Sequence, residues 1–214
     1  MNRITLIALT FIFYLVQNSA AQTKHEGGLF AGTSWYMGDL NPTRLFYSPS
    51  PAFGAIYKRS LNPRELIRLS MNYGGLSGTG KDYENQNQQF SARLLDLNAC
   101  YEFNFLPIHF DPRKLSITTF LFGGLGYEFA LGGNAGNHFT IPFGIGTKYL
   151  LSKKVTVGAE WSFRKTFIDN IDGVINPGSG KDKSALSNTD WYSFAGFFIT
   201  FRLFDHSGDC PVYQ

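Results

Sequence analysis

The feature that most constrains this chain is alternation of apolar and polar side chains at every second position. From Leu94 to Phe105 one set reads Leu95, Leu97, Ala99, Tyr101, Phe103 and Phe105. The other reads Leu94, Asp96, Asn98, Cys100, Glu102 and Asn104. Successive side chains of a strand point to opposite faces, so this run predicts a strand with one oily and one polar side. A helix would smear the same apolar residues around its circumference. The pattern recurs over Glu65–Gly74, Phe139–Tyr149, Val155–Phe163 and Trp191–Leu203, where Phe194 and Phe198 break it by falling on the polar phase. Weaker strands are expected over 28–36, 52–59 and 116–129, which brings the total to eight.

The connections between these strands alternate in length. Those at Met37–Ser50, Gly75–Gln88, Ala130–Asn137 and Ile168–Asp190 are read as the loops of one end. The turn Ser60–Arg64, with Asn62-Pro63 as its breaker, the segment Leu106–Lys114 and the short Leu150–Lys154 share the other end with both termini. The predicted fold is all-β: an eight-stranded antiparallel up-and-down transmembrane β-barrel over 22–204. Such barrels carry long outer loops and short periplasmic turns. Both termini are therefore expected in the periplasm, with 205–214 as a periplasmic tail.

The N-terminus supports export. Asn2 and Arg3 precede an apolar run from Ile4 to Val16, and Ser19, Ala20 and Ala21 supply small residues before Gln22. This is the order of a cleavable signal peptide over 1–21. The run is short for a spanning helix, which needs about 20 apolar residues. A net charge of +3 without a dense basic run gives no footprint for nucleic acid.

Alternation does not say which face is outside. A soluble lipocalin-like barrel turns its oily face inward around a ligand, and a membrane barrel turns it to lipid. Three features favour lipid. The polar phase repeatedly carries Gly, which suits a narrow lumen. It also carries charges of both signs, Arg68, Asp96, Glu102, Glu128, Lys148, Glu160, Arg164 and Arg202. These are expected to form an interior ion-pair network, because buried charges must be paired. Finally, aromatics sit near strand ends, Tyr101, Phe103 and Phe105 at one and Trp35, Trp161, Phe163 and Trp191 at the other, as two interfacial girdles would. An eight-stranded barrel is about filled by its own side chains, so an anchor or scaffold is expected rather than a pore.

No catalytic, cofactor or metal site is expected. His138 is the one histidine at a strand mouth on the loop side, and it reads as a solvated loop residue. Glu160, Ser162 and Arg164 share one strand face and read as structural ion pairing rather than a proton path. Gly178-Ser179-Gly180-Lys181 lacks the first Gly of a phosphate loop and precedes no helix. Cys210 lies in the polar tail, whereas Cys100 falls on an inward position. Cys210 is thus either a candidate for an intermolecular disulfide or an inert thiol.

Several stretches taken together carry a resemblance. They are Trp35-Tyr36-Met37-Gly38-Asp39-Leu40-Asn41-Pro42, Leu61-Asn62-Pro63-Arg64, the strand ending Glu102-Phe103-Asn104-Phe105, and Ile141-Pro142-Phe143-Gly144-Ile145-Gly146. Glu160-Trp161-Ser162-Phe163-Arg164-Lys165-Thr166-Phe167, Asn188-Thr189-Asp190-Trp191-Tyr192 and Cys210-Pro211-Val212-Tyr213 complete the set. In order and spacing the chain resembles the PorG-type outer-membrane barrel of the type IX secretion system of the Bacteroidetes. The resemblance implies a non-enzymatic protein that links a periplasmic ring, built from a lipoprotein and its partner of the PorK and PorN types, to the outer membrane. Outer-membrane lipid would be its other partner, with no cofactor and no small-molecule substrate. The alternative is a paralogous small barrel that acts as a lipid-modifying enzyme or as a general structural or adhesive membrane protein.

Overall fold

A computed structural model of the chain describes residues 24–37, 48–81, 87–107, 117–131, 137–166 and 191–205. Eight strands follow in chain order: β1 (Lys24–Met37), β2 (Ser50–Ser60), β3 (Glu65–Lys81), β4 (Asn87–Asn104), β5 (Ile117–Ala130), β6 (His138–Ser152), β7 (Val155–Thr166) and β8 (Trp191–Asp205). Each pairs antiparallel with its chain neighbour, and β8 returns to β1 to close the barrel. Closure removes the sheet edges around the wall, the one way a sheet satisfies its backbone inside a bilayer. The strands hold 11 to 18 residues, enough for the roughly 9–11 residues that a tilted strand needs to cross.

The alternation sorts side chains as expected. Leu97, Tyr101, Leu121, Ile145 and Phe201 lie on the outer wall, while Asp96, Asn98, Glu102, Thr118 and Thr200 lie within. Where inward glycines meet inward aromatics, the ring lies over the glycine. A Cβ on Gly146 would stand 2.4 Å from Phe120 Cζ, and one on Gly158 would stand 2.4 Å from Phe198 Cζ. These two glycines leave room for rings that fill a narrow lumen.

One connection differs from expectation. Gly75–Gln88 is not a long loop, because β3 runs to Lys81 and β4 begins at Asn87. The β2–β3 ladder ends at Ala52–Gly74 and the β4–β5 ladder at Leu94–Ala130, yet β3 and β4 stay paired out to Lys81–Asn87. The hairpin thus continues past the neighbouring ladders. Its Gly75–Gly80 stretch has no apolar alternation for a sequence reading to detect, and backbone pairing alone carries the strand there.

Candidate functional site

The lumen is the most differentiated part of the molecule. Among the described residues, nine acidic, basic or imidazole side chains are buried in it: Lys58, Arg68, Lys148 and Arg164 against Asp96, Glu102, Glu128 and Glu160, with His138 as the ninth. Four cations face four carboxylates, so the described set is neutral when the imidazole is neutral. Neutrality of this kind is what permits burial of so many charges.

Glu102 is the hub of the part nearer the turns. Its carboxylate lies 2.5 Å from Lys148 Nζ, 2.9 Å from Lys58 Nζ and 3.8 Å from Arg68. From β3, Arg68 reaches the opposite wall and donates a two-pronged pair to Glu160 on β7, each hydrogen bond 2.7 Å long. Such a fork-to-fork contact fixes both side chains in direction as well as in distance. Nearer the loops, Arg164 Nε on β7 donates to Asp96 on β4 at 2.9 Å, and the Arg164 guanidinium also donates to Ser162 Oγ. Asn98 Nδ2 donates to the same Asp96 carboxylate at 2.8 Å.

The aromatic filler serves the charges as well. Lys58 Nζ sits 4.5 Å from the centre of the Phe198 ring and 5.1 Å from that of Phe120. Arg68 lies 4.5 Å over Phe122, and Arg164 lies 4.6 Å over Phe194. Ring faces attract cations, and more strongly where water is absent. Phe194 and Phe198, irregular in the alternation, are thus inward partners of the cations. Packed rings and bridged charges leave this lumen with the character of a protein core, not of an aqueous pore.

The structure brings together seven of the eight residues expected in the interior network. Glu128 pairs with His138, whose Nε2 stands 3.3 Å from its carboxylate. This corrects the reading of His138 as a solvated loop residue. It opens β6, points inward and is 4 % exposed. The turn signals before it hid that it is already in the strand's inward phase. Arg202 is placed differently, half-exposed at the turn end of β8 with Glu26 as its register neighbour. Lys58 was missed by sequence reasoning. Its signal was the inward phase of Ala52, Ile56 and Lys58 on a strand that two glycine or alanine positions had blurred. Cys100 is buried among the lumen residues with a free thiol. Cys210, the signal segment 1–21 and the Gly178–Lys181 stretch lie outside the described residues.

The outer wall is the second element. Leu125, Phe139 and Phe197 are 72 %, 70 % and 74 % exposed, and Leu29, Phe53, Leu69, Met71 and Ile145 extend the same oily surface. Soluble proteins rarely expose a contiguous apolar surface of this extent. The wall is built to be covered by acyl chains. At the turn end, Tyr101 and Phe105 are exposed on it, as a girdle requires. At the loop end Trp35 departs from expectation: it is fully buried, 6.4 Å from Trp161, and takes no place in an exposed girdle. Its register neighbour is the small Ser193, whose hydroxyl accepts the Trp161 indole N–H at 2.8 Å, so the two indoles meet across β8.

Among the described residues no group of His, Cys, Asp and Glu is arranged to hold a metal ion. The fold is shared with solved barrels. Neisserial surface protein A (NspA) superposes with a TM-score of 0.52 at 9 % identity, covering 85 % of this chain and 97 % of that one. OprG of Pseudomonas aeruginosa gives 0.49 at 11 % identity over 86 % and 97 %. The N-terminal β-barrel domain of Pseudomonas aeruginosa OprF gives 0.45 at 12 % identity over 84 % and 100 %. No curated protein matches the chain. The family model for a domain of unknown function, DUF6089, matches residues 4–213, and the chain belongs to that family.

Proposed function

We propose that this chain is a non-enzymatic outer-membrane anchor, the PorG-type barrel of a type IX secretion machine. In this role it holds a periplasmic ring of a lipoprotein and its partner, of the PorK and PorN types, to the outer membrane. The observation that carries the reading is the lumen. Glu102 held by three cations, Arg68 bridged to Glu160 across the barrel, and four phenylalanine rings between them fill the cylinder with buried side chains. A plugged cylinder with an oily wall does not move solutes, and it gives its two ends to other proteins. The family resemblance in the sequence supplies the identity of the partner.

The lipid-modifying alternative would need its base on the lipid side of the wall. His138, the one histidine at a strand mouth on the loop side, points into the lumen and lies beside Glu128. The experiment is deletion of the gene with complementation. Loss of cargo secretion, together with loss of the periplasmic ring from outer-membrane fractions, supports the anchor. Normal secretion with the ring still membrane-bound would refute it.

A further inference from the structure

The turn end of the barrel carries its own charge pattern. Lys153 and Lys154 form the two-residue turn between β6 and β7, and both are exposed. Between β2 and β3, the Asn62 side-chain oxygen accepts from the backbone N–H groups of Arg64 and Glu65, each at 2.9 Å. That brace holds the turn in one shape and presents the exposed Arg64 at its end. Lys24, Arg59 and Arg202 stand half-exposed at the same rim. Against these six cations the described residues of this end set three carboxylates, Glu26, Glu65 and Asp205, an excess of +3. Glu26 accepts from the Thr200 hydroxyl at 2.9 Å, and Glu65 accepts from the Asn62 amide. Arg64, Lys153 and Lys154 make no ion pair among the described residues.

We infer that this basic rim docks an acidic protein surface, end-on to the barrel. The inference deepens the anchor reading and rests on it for the periplasmic position of the turn end. The direction of the turn tips selects a protein over lipid headgroups. Both turn tips connect antiparallel wall strands, so they project along the barrel axis, while headgroups surround the wall. A single exposed ion pair contributes little, but an array of one sign steers encounter and rejects like-charged partners.

The test uses the full-length protein in its native outer membrane, with a photo-crosslinking amino acid at Pro63 in the braced turn. Wild type is compared with the triple variants Arg64→Glu/Lys153→Glu/Lys154→Glu and Arg64→Gln/Lys153→Gln/Lys154→Gln. A heat-shifted gel band verifies that each barrel is folded. Expected is a protein adduct through an acidic peptide, with yield reduced about tenfold or more by the Glu triple and by less in the Gln triple. Raising salt to about 0.5 M in isolated membranes should lower the wild-type yield as well. An adduct indifferent to charge reversal, or one through a peptide without excess acid, overturns the inference. So does an adduct of phospholipid mass, which would assign the rim to headgroups. Cargo secretion after gene deletion is scored separately. Intact secretion with a charge-dependent adduct rejects the secretion role and leaves the docking rim standing; lost secretion with a charge-independent adduct does the reverse.

Discussion

Replacing Arg68 with Met tests whether the lumen is held by paired charge. Arg68 is 1 % exposed and bridges two carboxylates, 2.7 Å from Glu160 through both prongs and 3.8 Å from Glu102. The two acids are not left alike by its removal. Glu102 keeps Lys58 at 2.9 Å and Lys148 at 2.5 Å. Glu160 loses the one cation it pairs with among the described residues, while remaining buried. Stranding a buried charge costs about 3–5 kcal/mol, which is most of a typical domain's stability. Glu160→Gln should cost less, about 1–2 kcal/mol, because the amide oxygen still accepts from Arg68 and Arg68 still faces Glu102. The double variant Arg68→Met/Glu160→Met removes both charges and should come back to within about 1 kcal/mol of wild type. Urea titration of the barrel refolded in lipid vesicles, read by the heat-shifted gel band, gives all three values. A single Arg68→Met variant within 1 kcal/mol of wild type, or a double variant as weak as the single, would refute the reasoning.

Three further outcomes are expected. Phe197→Arg, on the outer wall near the middle of β8, should destabilise the lipid-embedded barrel by about 2–4 kcal/mol in the same titration; an unchanged midpoint would mean that this face meets water. Gly146→Ala places a methyl 2.4 Å from Phe120 Cζ and 2.7 Å from the Ala159 carbonyl oxygen; the expected loss is about 1–3 kcal/mol, and no loss would show that the ring does not lie over Gly146. The Cys100 thiol, buried in the filled lumen, should resist maleimide in the folded barrel and react fully in urea; rapid labelling of the folded form would reveal an open lumen.

What could be read in advance follows from where physics is periodic. Leu95 to Phe105 alternate because one side meets acyl chains and the other a packed lumen, and that contrast needs no partner strand to be visible. Seven of the eight expected interior charges were legible for the same reason; Arg202 follows the inward phase but stands half-exposed at the rim. Three things were not. Lys58 sits on a short strand whose Gly54 and Ala55 dilute the contrast on both faces. His138 follows turn residues, and only the register that sets it opposite Glu128 shows that it already belongs to a strand. The continuation of β3 beyond Gly74 is held by backbone pairing, and side-chain alternation carries no record of it. The inward rings of Phe194 and Phe198 looked like errors in the pattern. They make sense only beside Arg164 and Lys58, on strands far away in sequence.

The register itself explains why the charges are arranged across the barrel rather than along its wall. Lys58 lies directly opposite Arg68 on the next strand, and Asp96 lies directly opposite Glu128. Like charges facing one another on neighbouring strands destabilise an open sheet. Each charge instead finds its partner on another strand: Lys58 at Glu102, Arg68 at Glu160, Asp96 at Arg164, and Glu128 beside the His138 imidazole. Arg68–Glu160 joins β3 to β7, halfway around the cylinder, and Arg164–Asp96 joins β7 to β4. Those two bonds cannot form until the sheet has curled, and a one-residue slip would turn a whole strand's charges into lipid. The same side chains that plug the lumen therefore select the closed barrel over the open sheet.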